Sequence, residues 1–226
     1  MTEGYTLLFI DVDGVLNSTR NNKAVPFIPE IMARLARLVR ESGAQPVLST
    51  AWRLKEESRT RVIAQFLEYG LPMPLSCTPR ILGPRGNEVL AWLQMNTENV
   101  LQDRELNHGT LRTEAGEFEE AQFRLPARIK VAQFAIIDDR DFRTLMHGGA
   151  HRHLLTERHF VHIYAAIGMQ QSDADLVRLL LCGGDDQQPC THCAAKVLIS
   201  TTHPTNERLL FCDLACLALY DNKRVA

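Results

Sequence analysis

The stretch Leu7-Leu8-Phe9-Ile10-Asp11-Val12-Asp13-Gly14-Val15-Leu16-Asn17 constrains this chain more than any other. Its apolar run reads as a buried strand that stops abruptly at two carboxylates and a glycine. On a continuing strand residues i and i+2 face the same way, so Asp11 and Asp13 would share a face, with Gly14 turning the chain sharply just beyond them. Two like charges held that close call for a cation. Hard carboxylate oxygens favour Mg2+, which retains waters that a phosphorylated ligand can replace. The plainer alternative is a buried strand followed by a solvated Asp-Val-Asp-Gly turn.

Similar runs recur along the chain, separated by amphipathic segments. Thr6 to Ile10, Gln45 to Leu48, Val131 to Ile137 and Phe160 to Ile163 read as strands. Helical spacing marks Ile28 to Ser42, which ends at Gly43, Leu54 to Tyr69, which ends at Gly70, then Asn87 to Met95 and Asp173 to Leu181. Strands alternating with helices predict an α/β fold, a doubly wound parallel sheet with its chemistry at the carboxyl ends of the strands. A chain of 226 residues with 45% hydrophobic residues can bury one such core and carry a small appendage.

Two further strand ends supply polar groups. Pro46-Val47-Leu48 runs into Ser49-Thr50-Ala51-Trp52-Arg53, where a hydroxyl and nearby backbone N–H groups can hold a phosphate oxygen. Ser49 is the first choice and Thr50 the second, and a helix N-cap is the competing use of either. Trp52 reads as a packing residue rather than a substrate stacker; Arg53 is a candidate phosphate ligand, with a solvated arginine the simpler reading. Phe134-Ala135-Ile136-Ile137 runs into Asp138-Asp139-Arg140-Asp141. Asp138 is the expected metal ligand, Asp139 a ligand through water or an orienting group, and Asp141 a solvated loop acid.

These pieces resemble the haloacid dehalogenase-like (HAD) superfamily, and the likeness spans residues 5 to 170. It rests on Asp11-Val-Asp13-Gly14, on Ser49 or Thr50, and on Asp138-Asp139. Finer features resemble the HAD domains of "Swiss Army Knife" RNA-repair proteins: Asp-Gly-Val-Leu-Asn17, Leu48-Ser49-Thr50-Ala51-Trp52-Arg53, and Arg85-Gly86-Asn87-Glu88-Val89-Leu90-Ala91-Trp92-Leu93. The resemblance implies a Rossmann-like HAD fold with a small cap or none, and a phosphatase that passes through an aspartyl-phosphate. Asp11 would be the nucleophile and Asp13 the acid and base. Mg2+ would be held by Asp11, the Asp13 backbone carbonyl and Asp138, with Asp139 beside them. Most relatives carry a lysine between the second and last motifs; the positional match here is Arg85, which suits phosphate well. Arg80 and Lys130 compete for that role. The implied substrate is a phosphomonoester, a phosphorylated small molecule or a nucleic-acid end. Two other readings stand beside it: a noncatalytic phosphate-recognising protein that recruits a partner, and a phosphotransferase.

The chain divides into the HAD-like domain at 1–182, a linker at 183–189 and a small module at 190–226. Cys190-Thr-His-Cys193 and Cys212-Asp-Leu-Ala-Cys216 lie 18 residues apart and match a closed tetrahedral Zn2+ site. The segment resembles treble-clef-like zinc fingers. Its charges nearly balance, which favours a structural extension or protein-binding module over a nucleic-acid clamp. Residues 96–128 form a polar insertion with more acids than arginines, read as a lid or a surface excursion. The histidines between 147 and 162 read as solvated or packed side chains. A net charge of −2 gives no general attraction to nucleic acid or anionic lipid. With neither a leader-like N-terminus nor a membrane-length apolar window, the expected setting is cytoplasmic, with no membrane partner.

Overall fold

The computed structural model describes residues 4–20, 27–81, 83–98, 125–141, 144, 155 and 159–182, and the backbone of 188–189 and 196–197. Five parallel strands form one sheet: β1 (Tyr5–Ile10), β2 (Gln45–Leu48), β3 (Ser76–Cys77), β4 (Val131–Asp138) and β5 (Phe160–His162). Their spatial order is β3-β2-β1-β4-β5. The chain therefore builds outward from β1 through β2 and β3, then crosses back to place β4 on the other side of β1. That reversal opens a crevice at the carboxyl ends of β1 and β4, the usual ligand position in a doubly wound sheet.

Helices cover both faces. Leu8 and Ile10 of β1 pack into the cluster formed with α1 (Pro29–Ser42), α2 (Glu56–Glu68) and α4 (Gln171–Cys182). Leu7 and Phe9, pointing the opposite way, pack with Val47, Ile136 and α3 (Arg85–Asn96). The alternation of a strand's side chains thus splits one apolar run between two helical layers. Proline at the start of α1 suits a position with no intrahelical partner for its missing N–H, and Gly43, at φ 66°, closes the helix in the left-handed region. Trp92 anchors α3: fully buried, it meets Phe9 edge-on at 5.3 Å and donates its indole N–H to Ser76 Oγ at 2.5 Å.

The expected elements all form, with modest changes at their ends. Leu54 to Tyr69 begins instead with a 3-10 turn (Ala51–Leu54), and α2 starts at Glu56. The two-residue β3 lay inside a proline-punctuated stretch and is too short to show a period. The feet of the 96–128 insertion stand side by side. Thr97 bridges Ile129, and buried Asn96 accepts from the Leu125 backbone N–H at 2.8 Å. They sit at the carboxyl end of α3 and the amino end of β4, the edge of the sheet remote from Asp11. Residues 99–124, the rest of that insertion, lie outside the described residues.

Residues 183–187 of the 183–189 linker and most of the 190–226 module lie outside the described residues too, including Cys190, Cys193, Cys212 and Cys216. Within that region β6 (Gln188–Pro189) and β7 (Lys196–Val197) pair antiparallel. Among the described residues no helix is long and apolar enough to cross a membrane.

Candidate active site

Strand register assembles the site. Phe9 is paired with Val47 on one side and Ile136 on the other, all three packed in the α3 layer. Two residues further along, the same row brings Asp11 level with Ser49 and Asp138. The ladder continues past the strand ends to do this: Asp11 N–H donates to Ile137 O at 3.1 Å, and Ser49 N–H to Ile10 O at 2.8 Å. All three side chains are almost fully buried, at 2%, 1% and 1% exposure for Asp11, Ser49 and Asp138. Helix α3 starts over this row, and its first residue is Arg85.

Arg85 links the two strands. Its Nη1 donates to Asp11 Oδ2 and, at 2.9 Å, to Asp138 Oδ2. The other oxygens are also engaged: Asp11 Oδ1 accepts from Val12 N–H at 2.8 Å and Asp138 Oδ1 from Arg140 N–H at 2.9 Å. Gly14 turns the chain at φ 75° with Asp139 pressed against it. A Cβ at position 14 would lie 2.5 Å from Asp139 Oδ2, so only glycine lets that carboxylate close on the crevice. Oxygens of Asp11, Asp138 and Asp139 thereby fall within 4.8 Å of one another.

Burial outweighs Arg85 at this cluster. It pushes the Asp11 carboxyl up to about 6 against the opposing pull of the guanidinium, with neighbouring Asp138 adding to the rise. Asp138 and Asp139 are raised in the same direction, each chiefly by burial. Arg85 is held more firmly protonated by the two acids it bridges. Three hard carboxylates converging in a poorly hydrated crevice, with one guanidinium against them, fit a small divalent cation such as Mg2+.

Asp13 departs from the expected geometry. The strand ends at Ile10, so Asp11 and Asp13 do not share a face. Asp11 turns into the crevice, whereas Asp13 is exposed at its mouth and its carboxylate is not part of the acidic cluster. Asp13 Oδ2 instead accepts from the Trp52 indole N–H at 2.9 Å, and Oδ1 from Asn17 Nδ2 at 3.1 Å.

The two candidate hydroxyls differ in their partners. Thr50 Oγ1 caps the 3-10 turn by accepting from Trp52 N–H at 3.4 Å. Ser49 Oγ is buried with no partner among the described residues, beside Asp11. Lys130 precedes β4, so it sits at the opposite end of the sheet, and Arg80 is exposed, whereas Arg85 bonds both Asp11 and Asp138.

Arg53 is a correction. It is not solvated but 3% exposed, donating to the carbonyls of Thr50, Thr78 and Pro79 and pairing with Glu88 at 2.8 Å. That pair ties the turn after β2 to α3, one helical turn below Arg85. Glu88 and the Asn17–Trp52 contacts to Asp13 escaped the sequence reading, because a lone Asn or Glu carries no period or spacing. Of the histidines, His159 stacks on Phe134 with centroids 4.3 Å apart, and exposed His162 bonds Asp139 O at 3.1 Å; 147, 151 and 153 lie outside the described residues.

Residues 7–110 match the family model of the HAD domain in Swiss Army Knife RNA repair proteins. The matched span carries Asp11, Asp13, Ser49 and Arg85 and ends before Asp138. Together with the all-parallel five-stranded sheet, it supports the HAD family and its Rossmann-like fold, and with them a phosphatase-type hydrolase built around an acidic cluster. No curated protein and no solved structure gives a match.

Proposed function

We propose that this chain is a Mg2+-dependent phosphomonoester hydrolase that works through an aspartyl-phosphate on Asp11. The observation that carries the reading is the row of Asp11, Ser49 and Asp138 beneath Arg85, in which a buried nucleophile candidate lies next to an unpartnered hydroxyl and a fixed cation. Held by Asp11, Asp138, Asp139 and the Asp13 carbonyl, Mg2+ would offset the repulsion between these acids and an incoming phosphate.

The chain's own residues do the rest. Arg85 and the Ser49 hydroxyl hold the phosphoryl oxygens, and a carboxylate oxygen of Asp11 attacks phosphorus in line as the ester P–O bond breaks. Asp13, at the mouth, gives its proton to the departing alkoxide. In the second step Asp13 takes a proton from water, whose oxygen displaces Asp11 and releases inorganic phosphate. Thr50 acts as a cap that fixes the turn rather than as a phosphate ligand.

The substrate class we favour is a nucleotide or a polynucleotide terminal phosphate, on the strength of the family matched by residues 7–110. Residues 190–226 form a zinc module on Cys190, Cys193, Cys212 and Cys216 that extends the fold or recruits a protein partner. A screen of nucleotides, 3′- and 5′-phosphorylated oligonucleotides and sugar phosphates, with and without Mg2+, tests activity and substrate together. Mg2+-dependent phosphate release that vanishes in Asp11→Asn supports the reading. Equal inactivity of wild type and variant across the panel overturns it in favour of a phosphate-binding protein, and transfer to an added alcohol identifies a phosphotransferase. Metal analysis of the full chain is expected to give about one zinc per chain; intact disulfides without zinc would replace that module with a redox framework.

A further inference from the structure

Asp13 stands on an exposed turn, where an unheld carboxylate would rotate freely between staggered positions. Both of its oxygens are nevertheless gripped, by the Trp52 indole N–H at 2.9 Å and by Asn17 Nδ2 at 3.1 Å. Neither donor is itself loose. Asn17 Oδ1 accepts from Gly14 N–H at 2.6 Å, which fixes which end of the amide faces Asp13. Trp52 is the second residue of the 3-10 turn, its backbone N–H held by the Thr50 cap; its ring meets Phe27 edge-on at 5.6 Å and has the Arg61 guanidinium 5.7 Å from its centroid. The two donors use two of the roughly four acceptor positions of a carboxylate, and among the described residues the remaining ones are left for a ligand.

We propose that Trp52 and Asn17 are positioning residues that hold Asp13 in the one orientation from which it protonates a departing alkoxide, and that they thereby set how poor a leaving group this site can expel. The proposal rests on the phosphatase reading. In the step concerned, the P–O bond to the leaving group breaks, its electron pair goes to the departing oxygen, and the Asp13 proton is transferred there. A 4-nitrophenolate departs with little help; the alkoxide of a simple alkyl ester needs the proton. Misaligning Asp13 therefore penalises the alkyl ester selectively.

The test compares kcat/KM for 4-nitrophenyl phosphate and glycerol 2-phosphate in the full-length, Mg2+-loaded wild type, Asp13→Asn, Trp52→Phe and Asn17→Ala. The aryl-to-alkyl ratio is expected to rise at least tenfold in Asp13→Asn, and to rise in the same sense, about tenfold, in Trp52→Phe, which keeps an aromatic ring against Phe27 but lacks the N–H. Independently of turnover, the chain's two tryptophans give two indole N–H resonances, and Asp13→Asn should move one of them. A rise in the ratio for Asp13→Asn but not for Trp52→Phe or Asn17→Ala overturns the proposal while leaving the phosphatase reading intact. So does an indole spectrum that ignores Asp13→Asn. Wild type inactive on both esters overturns the two together.

Discussion

Asp11→Asn should make the metal-free protein more stable at neutral pH while destroying its chemistry. Burial raises the Asp11 carboxyl from 3.8 to about 6, even with Arg85 beside it. A rise of about two units, at ~1.4 kcal/mol each, means that holding Asp11 ionised costs the fold about 3 kcal/mol. The sign follows from proton binding. The folded state holds this proton more tightly than the unfolded chain, so its advantage is complete below pH ~4 and is lost as pH climbs through about 6. Asparagine copies the shape of the neutral acid and keeps an oxygen for Arg85 without the charge. Urea denaturation in EDTA at pH 4.5, 6 and 7.5 should show the variant gaining on wild type with rising pH, by about 2 kcal/mol across that window, or roughly 4–8 °C in Tm for a chain of this length. Excess Mg2+ should close the gap by stabilising wild type alone. A variant less stable than wild type at pH 7.5 would refute the reasoning, for it would mean that the Arg85–Asp11 contact outweighs the burial of the charge.

Ser49→Ala should lower kcat/KM by about tenfold or more yet leave stability unchanged or slightly higher in denaturant titrations, since the lost hydroxyl is buried without a partner. Gly14→Ala should cost about 1–3 kcal/mol and weaken Mg2+ binding measured by calorimetry, because φ 75° strains the residue and its Cβ would drive Asp139 away. Arg53→Met should destabilise by about 3–5 kcal/mol in the same titrations, as Glu88 and three carbonyls lose a buried partner.

Much of the site was visible in the chain because each of its parts sits where an apolar run stops. Asp11, Ser49 and Asp138 are the first polar residues after Ile10, Leu48 and Ile137, and parallel strands carry such ends to one edge. Arg85 was found by its place ahead of an amphipathic helix and the family likeness. The rest depends on partners distant in sequence. Arg53 looks like a surface residue until the carbonyls of Thr78 and Pro79 close around it. The expected common face of Asp11 and Asp13 failed because the strand ends one residue before Asp11; beyond it the turn at Gly14, not the two-residue period, decides where a side chain points.

By itself, then, the sequence determined the α/β class, the strands whose ends carry the acids, and the glycine that lets the turn form, since these follow from local apolar periodicity and backbone sterics. Only the tertiary structure decided that Asp11 goes inward while Asp13 stays at the mouth, that Ser49 rather than Thr50 is left unpartnered, and that Trp52 grips Asp13 while Arg53 disappears into the core. Those outcomes turn on strand register and on which distant hydrogen-bonding group arrives first, and neither is written in the order of neighbouring residues.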